Sequence, residues 1–303
     1  MDTRHSAESV PASDTLSPLM QAIEHRSAGA RATGDLKPAS VRHVVLEEEG
    51  LRFVLRIPEQ PAPPPGGPRD PNFNPFLPPD KALTVGPVGD EHVMVLNKFP
   101  VCHAHVVLAR TAFFEQQTPL EHSDFAAMAR LLGETGGLGF YNGGPDAGAS
   151  QRHKHVQWLP AGEHNPSLQS FVSVFNPQLD DQAVVIHPAL GFRHCFVRVL
   201  AGKGMASQDS AASLHQAFGR ARDKLSLAPD AQGLLPAFNL LVEDGWMMVV
   251  PRRREHFETI SLNALSYGGL LQLTHADEET LVRRHGPLAV LAGTAFAASE
   301  QAE

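Results

Sequence analysis

The sequence predicts an α+β fold built on antiparallel sheet, and three observations predict it. Strand-like runs come in pairs joined by tight turns: VRHVVLEE and LRFVLRI turn at Glu49-Gly50, and residues 237–242 and 246–250 turn around Glu243-Asp244-Gly245. Helical periodicity falls between such pairs rather than after every strand, which argues against a doubly wound parallel sheet. The chain has 303 residues with 42% hydrophobic and 19% charged residues, enough to bury a core in one large domain or two intimate ones.

The elements follow in order. Apolar residues at helical spacing from Leu16 to Ala30, with Ser17 as a cap before Met20 and Ile23, predict a first helix. The hairpin over Val41–Ile57 comes next. Pro58–Pro79 is too rich in proline and glycine for regular structure and reads as a loop. His92–Leu96 and His103–Ala109 are strands around Asn97-Lys98-Phe99-Pro100. Ser123–Gly133 is helical, Leu138–Asn142 a strand, Gly143–Ser150 a loop of small residues, and His153–Leu159 a strand by its alternation. Val184–His187 and His194–Leu200 are strands, and Asp209–Leu225 is a helix with Ala211, Leu214, Phe218 and Ala221 on one face. After the second hairpin, Leu262–Leu273 reads as a helix or helical turn interrupted at Gly268-Gly269, and Glu278–Ala292 as a final helix before a frayed tail. No short-period repeat is present.

Charge and composition exclude several classes. The net charge of -8 gives no global field for nucleic acid or an anionic membrane, so a polyanionic ligand must be met by local positive groups. The two cysteines, Cys102 and Cys195, form neither a CxxC pair nor a disulfide framework, which suits a reducing compartment. No apolar core follows the N-terminus and no stretch is long and apolar enough to span a bilayer. The expectation is a cytoplasmic protein with neither nucleic-acid nor membrane partners.

The chemistry concentrates in NGGPDAGASQRHKHVQ, residues 142–157. Its first part is a small-residue loop whose backbone N–H groups can approach phosphate oxygens. Its second part is a strand on which His153, His155 and Gln157 share one face, with Lys154 and Val156 on the other. Neutral imidazole is a good nucleophile near neutral pH, and glutamine can donate to a phosphate oxygen without acting as an acid. Together they point to phosphoryl or nucleotidyl transfer. The bland alternatives are half-buried polar residues or a metal site. Zinc would want further ligands at chelating spacing, and His164 and His187 are available but unpatterned.

This segment resembles the signature of the ATP adenylyltransferases (diadenosine tetraphosphate phosphorylases) of the histidine-triad superfamily. In that family N-x-G-x-x-x-G-[AS]-S leads into H-x-H-x-Q. VLNKFPVCHAHVVLA, FNLLVEDGWMMVVPRRRE, ISLNALSYGGLL and NPFLPP resemble further family segments in the expected order, from about residue 30 to about residue 275. The resemblance implies a histidine-triad-like antiparallel sheet with flanking helices, elaborated by a C-terminal portion: residues 1–165 catalytic, residues 166–303 packed with them as one unit. It implies phosphorolysis of diadenosine tetraphosphate to ATP and ADP, and the reverse. His155 is then the nucleophile, and His153 orients it through its backbone carbonyl. Gln157 stands where related hydrolases carry another histidine, which fits a transferase. Asn97 and Lys98 contact nucleotide or phosphate, Asn142 and Gly148-Ala149-Ser150-Gln151 line the same site, and Arg254 takes a basic phosphate-binding position.

The expected partners are small nucleotides: diadenosine polyphosphates, ATP, ADP and phosphate. Magnesium (Mg2+) is expected to arrive bound to the substrate rather than in a protein cage. The family precedent leans to a monomer. Two departures bear on substrate preference. The family's lysine before the proline-rich loop is missing, with Arg56 and Arg69 the basic candidates, and its Gly-Phe-Ala-Gly reads Ser266-Tyr267-Gly268-Gly269. The alternatives are a related transferase using ADP, adenylyl sulfate or a sugar nucleotide, and a non-catalytic nucleotide sensor. Cys102, Cys195, Trp158 and Trp246 read as core residues, Phe76 as a loop residue able to cover a base, and His105 as semi-buried or exposed on a strand end.

Overall fold

In the computed structural model, which describes residues 16–60 and 73–299, the first described element is a capped helix. The Ser17 hydroxyl accepts from the Met20 N–H at 3.2 Å, Pro18 occupies the first turn, and α1 (Pro18–Ala32) buries Ile23 and Ala30. A hairpin follows, β1 (Val41–Glu48) and β2 (Leu51–Pro58). Its two turn residues, Glu49 and Gly50, have φ of 52° and 77°, the left-handed pair that a two-residue hairpin turn requires. The expected Pro58–Pro79 loop falls largely outside the described residues, as does Arg69.

Next come β3 (Thr84–Val88), β4 (His92–Leu96), β5 (Val106–Arg110), α2 (His122–Thr135), β6 (Leu138–Gly143) and β7 (His155–Leu159). Then follow α3 (Gln169–Val172), β8 (Val184–Val185), β9 (Cys195–Arg198), α4 (Ser207–Leu225), β10 (Phe238–Glu243) and β11 (Trp246–Pro251). The described chain closes with β12 (His256–Phe257), β13 (Ile260–Ser261), α5 (Ala264–Tyr267), β14 (Leu270–Gln272), α6 (Glu278–His285) and α7 (Pro287–Ala292).

Among the described residues, nine strands form one antiparallel sheet in the order β3-β4-β5-β7-β6-β10-β11-β9-β8. The expected α+β fold with antiparallel sheet is therefore the observed one. The order β5-α2-β6-β7 recurs as β9-α4-β10-β11, and the two sets meet where β6 pairs with β10, with Asn142 opposite Asn239. Helices α2 and α4 pack against each other over this seam, on a core that includes Phe125, Trp158, Phe218 and Phe238. Helix α2 lies so close to β6 that a Cβ on Gly139 would stand 2.5 Å from Met128 Sδ. The opposite face is covered by a small sheet, β1-β2-β14, whose Phe53, Leu55 and Leu271 join Phe140, Phe196 and Met248 in a second core. That second face also carries His155 and Gln157.

Several boundaries differ from expectation. Strand β3 was not expected, because Gly86 and Pro87 interrupt its pattern; it is an edge strand with a register shift between Thr84 and Gly86, where proline is tolerated. His103 lies in a turn, since Ala104 takes φ of 60° and the strand starts only at Val106. Cys102, expected in the core, lies in that turn too and is only partly buried. Of the helix or helical turn expected over Leu262–Leu273, the observed element is a single turn, α5, followed by β14, with Gly269 at φ of 84° between them. The final helix divides at Gly286, also at φ of 84°, with Pro287 opening α7.

Candidate active site

His155 begins β7, opposite Ala109 of β5. Its Nδ1 lies 2.8 Å from the carbonyl oxygen of His153. A carbonyl can only accept, so Nδ1 carries the proton and Nε2 keeps a lone pair. The ring is buried and packs 5.1 Å from the Phe76 ring. Burial pushes its pKa down to about 4, the His153 carbonyl opposing and the His153 ring adding to the fall. A neutral imidazole with an available Nε2 results.

His153 is held at both nitrogens. Its Nε2 donates to the Arg110 carbonyl at 2.7 Å, and its Nδ1 accepts from Asn74 Nδ2 at 2.9 Å. Asn74 Oδ1 in turn accepts the Phe76 N–H, which sets Phe76 against both histidines. His153 does not lie within β7; it makes an isolated bridge to Glu115. Lys154 points to the helix side, as alternation requires. It donates to Pro119 O at 2.6 Å and lies 3.0 Å from the buried Asp124, which also takes Arg110 and His92. Hydrogen bonds from His92 and Arg110 and the Lys154 charge hold the Asp124 carboxyl well below the usual carboxylate range despite its burial.

Gln157 Oε1 accepts from His105 Nε2 at 3.0 Å, because His105 Nδ1 is taken by the Val101 N–H. Its amide nitrogen has no acceptor among the described residues and remains a donor. His105 is buried rather than exposed or semi-buried, with its pKa pushed down to about 4, mainly by burial and also by the nearby His155 and Arg56. Asn97 Nδ2 lies 3.4 Å from the same His105 nitrogen, so Asn97 belongs to this corner. Lys98 beside it is exposed. Arg56 enters the corner from β2, donating through Nε to Val101 O at 3.1 Å. Of the two candidates for the missing lysine, it is the one the structure describes.

The small-residue loop is less open than its composition implies. The N–H groups of Ala147, Gly148 and Ala149 are bonded inside it, to Gly144, Pro145 and Gly144 carbonyls. Those of Ser150 and Gln151 have no acceptor among the described residues. Gly148 has φ of 82°, and a Cβ there would stand 2.8 Å from Asn263 Cβ, so close packing on residues 262–263 demands glycine. A cleft of about 110 Å³ runs between Gly144, Pro145, Ala149, Ser150, Gln151 and Arg152 and the segment 115–117. Asn142 is buried, and its Oδ1 is committed to Asn239 Nδ2 at 2.9 Å and the Ala264 N–H at 2.8 Å. It is first a tie between β6, β10 and α5.

The arginine run divides. Arg254 is exposed and donates through Nε to Gly293 O at 2.8 Å; among the described residues no hydrogen bond or ion pair joins it to the histidine face. Arg252 is buried, bonds the Asn239 side chain and the carbonyls of Leu262, Arg254, Glu255 and Thr294, and lies over the Tyr267 ring at 5.1 Å. It is one hydrogen bond from Asn239 and two from Asn142. Sequence reasoning also missed Gln116, a buried glutamine bonded to the main chain of His155; nothing in FFEQQTP marks it. Trp158 and Trp246 are core residues as expected.

Comparison with known proteins agrees with this architecture. Residues 11–170 match the family described as Ap4A phosphorylase N-terminal domain, and residues 188–297 match the ATP adenylyltransferase C-terminal domain. Among curated relatives, diadenosine 5',5'''-P1,P4-tetraphosphate phosphorylase 2 of Saccharomyces cerevisiae is 28% identical over 227 residues, covering 65% of this chain and 68% of that protein. Protein APA1 of the same yeast is 27% identical over 232 residues, 68% of this chain and 70% of that one. The fold is that of yeast Ap4A phosphorylase Apa2, with a TM-score of 0.77 at 20% identity over 92% of this chain and 98% of that one. The same enzyme in complex with Ap4A gives 0.76 at 21% identity, over 93% and 99%.

Proposed function

Because the chain belongs to the Ap4A phosphorylase and ATP adenylyltransferase family, we propose that it splits diadenosine 5',5'''-P1,P4-tetraphosphate with phosphate into ATP and ADP, and runs the reverse. One observation carries the reading: His155 holds its proton on Nδ1 against the His153 carbonyl and presents an unprotonated, neutral Nε2. In the first step Nε2 attacks the α-phosphorus of one adenosine. The Nε2–P bond forms as the bridging P–O bond breaks, and ATP departs with the bond's electron pair. In the second step a phosphate oxygen attacks the same phosphorus, the P–N bond breaks, and ADP leaves with His155 restored.

The surroundings support these steps. The Gln157 amide and the Ser150 and Gln151 N–H groups are donors suited to the non-bridging oxygens, where charge builds up during transfer. Gln157 has no acidic proton and cannot serve as a base for water, which favours phosphate as acceptor. Arg56, with Asn97 and Lys98 at the same corner, is proposed to meet the polyphosphate; magnesium is proposed to arrive on it as part of the substrate. Phe76 flanks the nucleophile, where it also limits water. Pairing of the two half-sheets within one chain supports action as a monomer, which light scattering after size exclusion would test.

The test is product analysis with Ap4A and magnesium, with and without phosphate. Equal ATP and ADP appearing only with phosphate, and lost in His155→Ala, is the expected result. ATP with AMP, formed without phosphate, would make the enzyme a hydrolase and overturn the reading of Gln157.

A further inference from the structure

Strands β6 and β7 part at the nucleophile, and one side chain fills the gap. Their ladder ends at the Phe140–Gln157 pair. One residue before His155, the Lys154 carbonyl is taken by the Arg110 N–H on the β5 side. Peptide groups alternate along a strand, so the N–H and C=O of His155 both face β6. Neither bonds β6. Both are taken by the amide of Gln116: Oε1 accepts from the His155 N–H at 2.9 Å, and Nε2 donates to the His155 carbonyl at 3.1 Å. The same Nε2 donates to the Asn142 carbonyl of β6 at 2.9 Å.

Gln116 is itself fixed. It is 3% exposed, its N–H donates to Arg152 O at 2.7 Å, and its carbonyl accepts from the Tyr141 hydroxyl. The segment around it is laced to the residues before His155 by Glu115 opposite His153 and by the Lys154 N–H bonded to Phe114 O. The glutamine therefore stands in for a peptide group of β6, and behind it the strands diverge into the 143–152 loop and its cleft.

We propose that Gln116 is a positioning residue for the nucleophile: its amide carries the His155 main chain at a fixed offset from β6, aiming Nε2 and keeping open the seat for the reacting phosphate. This rests on His155 being the nucleophile. The requirement is chemical as well as steric. A primary amide at this reach offers an acceptor to one N–H and donors to two carbonyls. A carboxylate would face both carbonyls with lone pairs, and an apolar side chain of the same length would leave all three main-chain groups unbonded. Any tilt of the His155 peptide moves the imidazole with it, and a displacement near 1 Å costs on the order of 100-fold in rate.

The test compares Gln116→Met and Gln116→Glu with the wild type in full-length protein. It measures the single-turnover rate of adenylyl transfer from Ap4A to the protein, the Kd for AMP, and thermal melting. Both variants are expected to bind AMP within about threefold of wild type and to form the adduct about 10- to 100-fold more slowly at pH 8. Gln116→Glu carries its own signature. Its carboxyl, set between two carbonyls, is held protonated to higher pH than usual, and once protonated it again donates. Its rate relative to wild type should therefore rise about tenfold from pH 8 to 5.5, while that of Gln116→Met stays flat. The titratable groups on the elements around position 116 are Glu115, Arg152, Tyr141, His153, Lys154 and His155, with Asp124 beyond Tyr141; all are common to the three proteins. Wild-type adduct rates in both variants would overturn the proposal. If Gln116→Met does not melt cooperatively, the Gln116→Glu profile decides, and a flat ratio overturns it. A wild type that forms no adenylyl-histidine would instead remove the reading of His155, whatever the variants do.

Discussion

Lowering the pH below neutrality separates a buried nucleophile from an exposed one. The structure puts His155 at a pKa of about 4, against an ordinary 6.5, chiefly through burial. At pH 5 an imidazole at 4 is still about 90% neutral, whereas one at 6.5 is about 3% neutral. The adenylation rate should therefore fall by only about a tenth between pH 7.5 and 5, against a roughly 30-fold loss for an unperturbed histidine. Stability runs the other way. The folded pKa of His155, and of the equally buried His105 and His194, lies below the unfolded value, so the unfolded chain binds more protons between about pH 6.5 and 4. The native state is unpenalised above pH 6.5 and loses on the order of 2 kcal/mol per histidine on reaching pH 5. The assay must thus be a pH jump from 7.5 into Ap4A, with adduct formation followed by rapid quench before unfolding sets in. A limb in the adenylation rate near pH 6.5, with folded protein verified by near-UV circular dichroism, would refute the assignment of a buried neutral imidazole.

Three further outcomes are expected. Gln157→His places a titratable group against His105 at the transfer site and should raise the share of Ap4A hydrolysed to ATP and AMP without phosphate, read by anion-exchange chromatography. Arg252→Met strips the partner from the Asn239 side chain and several buried carbonyls and should cost about 3–5 kcal/mol of stability, whereas Arg254→Ala, which removes an exposed side chain bonded through Nε to Gly293 O, should cost less than about 1 kcal/mol; urea melts distinguish them. Asp124→Asn leaves Arg110 and Lys154 without their buried counter-charge and should destabilise by about 3–5 kcal/mol, seen as a lower urea midpoint.

What could be read from the sequence was whatever local periodicity encodes. Alternation alone puts His155 and Gln157 on one face and sends Lys154 to the other, where Asp124 meets it. Two-residue turns at Glu49-Gly50 and Asp244-Gly245 announce their hairpins because only left-handed backbone closes them. Strand β3 escaped notice because Gly86 and Pro87 spoil its pattern on an edge that tolerates them. The loop from Gly143 looked like an open cradle, yet its small residues serve turns and close packing, and among the described residues the N–H groups of Ser150 and Gln151 meet no acceptor. Arg254 and Arg252 are alike in sequence; only the tertiary fold buries the second against Asn239. Gln116 lies 39 positions from His155, with no motif of its own, so only the folded strands reveal it.

A covalent adenylyl group on His155 is detected by peptide mapping with mass spectrometry, after quenching the enzyme at alkaline pH with Ap4A and without phosphate. One acid-labile adenylyl group is expected on the peptide carrying His155, discharged as ADP when phosphate is added and missing in His155→Ala. An adduct on another residue, or full turnover in His155→Ala, would contradict this expectation.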